Sequence, residues 1–378
     1  MKVLHVISDE NIGGAGVLLT TLLRNLDRAR VESVVALPKN SLLRGRIEAL
    51  RIPVRPLTHP CSRLSPASMR ELVQVVREET VDLVHTNASL AGRAAGRLCG
   101  IPVIHTRHCC YPVTGALRLP ILSLMGRTCN RLLSDHSIAT AEAAADNLRA
   151  LGIPADRITC IINGSDPVRQ VEEWELDRAR ARYGLSDTDF VVGICARLTP
   201  CKGHGTFLRA ARKVLLRVKS PAVKFLIVGT GELMEELLRE SERLGIADAV
   251  RFTGFVEDMA PIYRLLRINV NCSCGTETSC LAISEGMSAS LPTVASNYGG
   301  NPSMLGAVRG ESVTRVGFLF PVGDADALAD DICRIILHPE LEMRLRHAAL
   351  ERYRTHYTAA QMSEHLAAVY ESVYRNRR

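Results

Sequence analysis

The chain has 378 residues, 47% hydrophobic, 23% charged and 4% aromatic, with a formal net charge of +7. At roughly 150 residues per domain there is room for two or three real cores, and ordinary Gly and Pro levels exclude a disordered, collagen-like or coiled-coil chain. The charge excess is local: residues 1–165 hold 20 basic and 13 acidic side chains, whereas residues 166–378 hold 27 of each.

At the N-terminus the apolar run KVLHVI is too short for an export signal, and the later stretch Leu117 to Met125 is broken by Arg118 and Pro120. A bilayer span needs about 20 apolar residues, so the expectation is a soluble, cytosolic protein with no membrane-crossing segment. Its twelve cysteines then read as reduced thiols that mostly pack. Neither Cys109-Cys110 nor Cys272-x-Cys274 has the CxxC spacing of tetrahedral zinc sites, and no metal site is expected.

KVLHVI leads into Gly13-Gly14-Ala15-Gly16 and then VLLTTLLRNL, which reads as strand, glycine loop, helix. Next come six arginines (44, 46, 51, 55, 63 and 70) with Glu48 as the only acid among them. Such a patch faces an anionic partner or stays solvated. No aromatic lies between Arg44 and Arg70 to stack on bases, so nucleic acid is not the expected partner. Further strands are read at VESVVAL, VDLVHT, PVIHT and HSIAT, with helices at Met69 to Glu79 and Ala88 to Leu98. Runs apolar on both faces that alternate with helices predict a parallel sheet of βαβ units.

After Asn163-Gly164 a polar stretch, DPVRQVEEWELDRARARYGLSDTD, reads as connecting and helical material. The pattern then restarts with strands at FVVGICARL, KFLIVG, VRFTGF, INVNCS, PTVAS and GFLFP, and helices at Thr206 to Val218 and Glu232 to Leu244. Two doubly wound α/β domains follow from this, with ligands at the carboxyl ends of the strands. The boundaries expected are 1–165, 166–355, and a helix over 356–378 that packs back toward the N-terminal domain.

Three stretches carry chemistry. Gly13 to Gly16 either makes a tight turn or brings backbone N–H groups close to an anion at a helix start, and its spacing is not the GxGxxG of dinucleotide dehydrogenases. Arg197-x4-Lys202-Gly203, at a strand's carboxyl end, suits a diphosphate, or else is a solvated loop. On the first reading Lys202→Ala leaves the melting temperature of the free protein nearly unchanged. In Glu277-TSCLAIS-Glu285 a helix starts near Ser279, and LAISEGMSA is small and apolar enough to be buried. A buried Glu285 needs a partner, either a ligand or an internal salt bridge. Glu277 either shares a ligand with the N–H groups of Ser279 to Leu281 or caps the surface.

These elements resemble the retaining glycosyltransferases of GT-B fold, family 4. Glu277 and Glu285 match the E-x7-E motif, and Leu291-Pro292-Thr293-Val294 its Leu-Pro-x-Val. Arg197-Leu198 with Lys202-Gly203, Asn163-Gly164, Gly13 to Gly16 and Thr106-x-His108 match further elements in order. The resemblance implies two Rossmann-like domains facing across a deep cleft, the first binding the acceptor and the second a nucleotide diphosphate sugar. It implies that Arg197 and Lys202 hold the diphosphate, Glu285 the ribose and Glu277 the transferring sugar, with His108 approaching that sugar from the other domain. Gly14, Gly16 and the helix start at Ser279, Cys280 and Leu281 would also meet the donor. Gly229 and Gly231, with Thr230 and Glu232, and Phe255, between Gly254 and Val256, would line the nucleobase pocket. Thr278-Ser279-Cys280 stands where the family often has Gly-Phe-Gly or Gly-Phe-Pro, so the sugar pocket differs.

The function implied is a retaining, metal-independent hexosyltransferase without a cofactor. It would act on a glycan or lipid-linked acceptor in cell-surface polysaccharide or lipopolysaccharide biosynthesis, with the Arg44 to Arg70 patch on an anionic membrane surface. The alternatives are a GT-B sugar-nucleotide epimerase and a non-catalytic nucleotide-sugar binding protein.

Overall fold

The computed structural model describes residues 1–62, 64–87, 89–108, 120–308 and 310–376. Arg63, Ala88 at the expected helix start, the Cys109-Cys110 pair and the first part of the Leu117 to Met125 stretch lie outside the described residues. The chain divides into two compact units, Met1–Ser165 with Ala359–Arg378, and Asp166–Thr358.

The first unit is built on a seven-stranded sheet in the order β3-β2-β1-β4-β5-β6-β7. Its strands are β1 (Lys2–Ile7), β2 (Glu32–Pro38), β3 (Val54–Leu57), β4 (Leu83–Asn87), β5 (Val103–Arg107), β6 (His136–Ala139) and β7 (Ile158–Cys160). Every pairing is parallel. The helices between them are α1 (Gly14–Asn25), α2 (Arg44–Ala49), α3 (Pro66–Glu79), α4 (Leu90–Leu98), α5 (Pro120–Leu133) and α6 (Glu142–Ala150). Leu4 and Val6 of β1 pack with Val34, Ala36, Leu57 and the apolar faces of α3 and α4 on one side of the sheet.

The second unit carries a six-stranded parallel sheet in the order β10-β9-β8-β11-β12-β13. The strands are β8 (Phe190–Cys195), β9 (Val223–Val228), β10 (Val250–Gly254), β11 (Ile268–Asn271), β12 (Thr293–Ser296) and β13 (Gly317–Phe320). The helices are α7 (Glu173–Tyr183), α8 (His204–Arg217), α9 (Met234–Arg243), α10 (Ala260–Leu265), α11 (Leu281–Ser288), α12 (Asn301–Leu305), α13 (Ala325–Leu337) and α14 (Pro339–His356). The period-2 alternation of strands is visible in its two cores. Phe190, Val192 and Ile194 of β8 pack with Phe207 of α8 and Leu328 of α13, while Val191 packs on the opposite face with Tyr183 and Tyr263. Val223, Phe225 and Ile227 of β9 share the first core and Leu226 and Val228 the second. Such strands are apolar on both faces because helices cover both.

A boundary after residue 355 would cut α14, and the second unit runs on to Thr358. The last helix, α15 (Ala359–Arg375), belongs to the first unit. Its buried Tyr370 places Oη 2.6 Å from His85 Nδ1, and its Glu364 and Glu371 accept from Arg30 at 2.7 and 2.9 Å.

In each sheet the strand order reverses beside the first strand, between β1 and β4 and between β8 and β11. Helices flank a doubly wound sheet on opposite sides of such a point, which opens a crevice outside the carboxyl ends of those two strands.

Candidate active site

The crevice of the second unit receives the loops that follow β8 and β11, which are hydrogen-bonded neighbours. Arg197 and Lys202 follow β8, and Ser273 and Glu277 follow β11. Lys202 Nζ donates to Glu277 Oε2 at 2.6 Å, and Ser273 Oγ donates to the same oxygen at 2.6 Å. Glu277 is only 6% exposed, so it is no surface cap. Burial pushes its carboxyl up, but the Lys202 ammonium and the hydrogen bonds from Ser273 and Asn271 outweigh this and hold it below the ordinary carboxylate value. Burial likewise lowers Lys202, and Glu277 more than restores it. The pair is an ionised couple that shares its charge, so Lys202 is a part of the fold as well as a cation at the crevice. Arg197 is different: its guanidinium is exposed and has no protein partner among the described residues.

Two glycines make these loops possible. Gly203 has φ +68°, and a Cβ there would fall 2.1 Å from the Cys272 carbonyl oxygen. Gly229, with φ +136°, sits so close to the β8 exit that a Cβ would fall 2.2 Å from the Ala196 carbonyl oxygen. Gly229 N–H donates to the Gly254 carbonyl at 3.0 Å, tying the exits of β9 and β10 together, and the neighbouring Phe255 is 59% exposed.

Glu285 lies on α11, the small apolar helix, and its partner is a phenol. Tyr263 Oη donates to Glu285 Oε2 at 2.7 Å. Burial holds the Glu285 carboxyl above its ordinary value, a rise that the Tyr263 hydrogen bond only partly offsets. The alternative of an internal salt bridge is therefore not what the structure contains. Cys280 is the N-cap of α11, and Leu281 is the first helical residue. The Cys280 sulfur meets the N–H groups of Ile283 and Ala282, and burial pushes its thiol up to about 12. Its field reaches Lys202 and Glu277 on one side and Tyr263 on the other. Lys202, Glu277, Cys280 and Glu285 are thus brought to one place. Ser273, Asn271 and Tyr263 complete it and were not anticipated from the sequence, where no spacing marks them.

Gly14, Gly16 and His108 belong to the first unit. Gly14 opens α1 with free space beside it, whereas a Cβ at Gly16 would fall 2.6 Å from Leu43, so packing alone demands glycine there. His108, just past β5, has Nε2 2.8 Å from Asn87 Oδ1 at the end of β4, and burial lowers its pKa to about 4. The imidazole is neutral at pH 7 and donates to Asn87. With His85, Asn163 and Met362 these residues line a cavity of about 30 Å³, room for about one water.

Among the described residues no group of three or more His, Cys, Asp or Glu side chains could hold a metal ion, and no helix is long and apolar enough to cross a membrane.

Comparison with known proteins covers both units. The chain is 28% identical over 280 residues to an Escherichia coli UDP-Gal:alpha-D-GlcNAc-diphosphoundecaprenol alpha-1,3-galactosyltransferase, covering 71% of this chain and 70% of that protein. It is 30% identical over 289 residues to a D-inositol 3-phosphate glycosyltransferase of Streptomyces scabiei, covering 71% and 63%. The crystal structure of Anabaena Alr3699/HepE in complex with UDP-glucose shares the fold, with a TM-score of 0.82 at 23% identity over 98% of this chain and 100% of that one. Residues 12–169 match Glycosyltransferase Family 4, and residues 189–338 match the group 1 glycosyl transferases. With both units matched, the chain belongs to the group 1, family 4 glycosyltransferases, whose structural neighbours have the GT-B fold of two Rossmann-like domains.

Proposed function

We propose that the second unit binds a nucleoside diphosphate sugar and that the enzyme transfers the sugar, without a metal and with retention of anomeric configuration, to a glycan or lipid-linked acceptor held by the first unit. The observation that carries this is the Lys202–Glu277 couple at the β8/β11 crevice with the unpartnered Arg197 beside it. Since Lys202 is already matched by Glu277, Arg197 supplies the uncompensated charge for a diphosphate, and its fork suits two phosphate oxygens. The N-terminus of α11 adds N–H groups and a partial positive charge. The protonation-prone Glu285, beside Tyr263, is placed to accept from ribose hydroxyls, and the Gly229 to Gly231 loop with Phe255 to meet the base. Structural neighbours crystallised with UDP and UDP-glucose make uridine the first base to test.

In the reaction the bond from the anomeric carbon to the diphosphate breaks as the acceptor oxygen bonds to the same face. The departing phosphate oxygen takes the acceptor's proton. Arg197 and Lys202 stabilise the charge that grows on the diphosphate, which is where fixed cations act most strongly. Glu277, held by Ser273 and Lys202, fixes sugar hydroxyls, and neutral His108 donates rather than attracts by charge. Gly14 and Gly16 offer backbone at the α1 start.

The acceptor class follows from the relatives' names, and cell-surface polysaccharide or lipopolysaccharide synthesis is the pathway proposed. Peripheral attachment to an anionic inner membrane face is part of this reading, with a reduced contribution from the arginines: Arg44 is paired with Glu48 and Arg55 with Glu79. Liposome co-sedimentation that ignores anionic lipid and salt would remove that part.

Proton NMR of the fresh product tests the central claim. The anomeric coupling should match the donor's, with activity unchanged by EDTA, and product should form only when acceptor is present. An inverted product, EDTA sensitivity, or conversion of donor without acceptor defeats, respectively, retention, metal independence and transfer itself, the last outcome being that of an epimerase.

A further inference from the structure

The loops that carry Lys202 and Glu277 also carry two cysteines that face each other. Residues 201–203 and 272–275 run in opposite directions. Cys274 N–H donates to the Cys201 carbonyl at 2.8 Å, Gly203 lies against the Cys272 carbonyl, and a Cβ at Gly275 would fall 3.3 Å from the Cys201 Cβ. Opposed residues joined by such a bond have Cα atoms about 5.5 Å apart, inside the roughly 4.4–6.8 Å that a disulfide spans. Both sulfurs rest on one turn: Cys274 Sγ is 3.4 Å from the Pro200 carbonyl oxygen, and Cys201 Sγ is 3.3 Å from Thr199 Oγ1. Solvent reaches both, Cys274 being exposed and Cys201 half-buried, whereas Cys272 is buried.

We propose that Cys201 and Cys274 form a reversible disulfide that closes the donor site, with a low-molecular-weight disulfide of the glutathione type as co-reactant. The consequence for binding rests on the donor-site reading above. The more exposed Cys274 thiolate attacks one sulfur of the co-reactant and releases its first thiolate. Cys201 then attacks the Cys274 sulfur of the mixed disulfide and releases the second. The two protein thiols lose two electrons and two protons, and the small disulfide becomes two thiols. To bond, both side chains must rotate off Thr199 and Pro200. Cys201 adjoins Lys202 and Cys274 adjoins Ser273, the two donors that hold Glu277 Oε2, so the shift is handed directly to that carboxylate and its cation.

The test uses the full-length protein incubated with oxidised glutathione, alkylated, digested and sequenced by tandem mass spectrometry, with a parallel calorimetric titration of UDP. A fragment linking Cys201 to Cys274 is expected, absent from Cys201→Ser and Cys274→Ser and after dithiothreitol. UDP affinity should fall about tenfold or more on oxidation, recover with dithiothreitol, and stay constant in Cys274→Ser. No linked fragment, a link to a different cysteine, or an unchanged affinity overturns the proposal. If reduced protein binds none of UDP, ADP and GDP, the donor-site reading fails instead, and the fragment analysis still decides whether the disulfide forms.

Discussion

Arg197 and Lys202 make different demands on the ligand-free protein. Arg197 is exposed and unpartnered, so Arg197→Ala should leave the melting temperature within the small range of surface changes while lowering kcat about 100-fold or more. Lys202 neutralises a carboxylate that is only 6% exposed. Lys202→Ala therefore destabilises the fold, on the order of 3 kcal/mol as for a broken buried pair, which corrects the expectation that its loss leaves stability untouched. Thermal unfolding and initial rates of the two variants separate the roles. The carboxylates respond oppositely to pH. Glu277 is held below its ordinary value, so its contribution is complete above pH 4.5 and is lost as pH falls through its depressed pKa. Glu285 is held above it, so the folded state binds the extra proton and loses stability as pH rises from 4.5 through the raised pKa. Glu285→Gln keeps an acceptor for Tyr263 and removes the buried charge. It should raise the melting temperature at neutral pH by about 2 °C or more, with the gain vanishing near pH 4.5. The same variant should weaken nucleotide binding roughly 10- to 100-fold, as expected when a charged acceptor is lost from a ribose hydroxyl.

Among the elements, the loop between β8 and α8 depends most on one backbone position. Gly203→Ala puts a Cβ against the Cys272 carbonyl in a left-handed conformation, which should cost about 2 kcal/mol or more and weaken UDP binding by displacing Lys202. Calorimetry and UDP titration of that variant check both effects. The same scale shows what the amino-acid sequence could reveal. Long apolar strands such as β1, β8 and β9, each ending at a glycine or charged loop, were legible because burial on two faces leaves no polar alternation. β3 and β7 were not: Val54-Arg55-Pro56-Leu57 and Ile158-Thr159-Cys160 are short edge strands with mixed burial. At the site, Glu277, Glu285, Arg197 and Lys202 were legible as motif residues. The Lys202–Glu277 couple was not, since 75 residues separate its members and only the adjacency of β8 and β11 joins them. Tyr263 gave no local signal, because its phenol meets Glu285 only once α10 and α11 pack on the same sheet.

At the scale of the whole molecule, the first unit is discontinuous and is finished by α15. That helix buries Tyr370 against His85 and His5 and satisfies Arg30 with two glutamates. Ending the chain after Thr358 should therefore abolish the calorimetric transition of the first unit and leave that of the second, with β8 and β9 amides still protected from hydrogen exchange. One small contact carries a further consequence. The Ala359 N–H donates to the Ser165 carbonyl at 2.9 Å, so the chain leaves the first unit and re-enters it at a single spot. The second unit is thus a cassette nested in a host fold, bounded by two cuts that lie side by side. A chimera that trades donor preference between relatives has to be spliced at both cuts. One joined only after Ser165 would import a foreign α15 and leave His85 of the host facing a tyrosine it was never matched to.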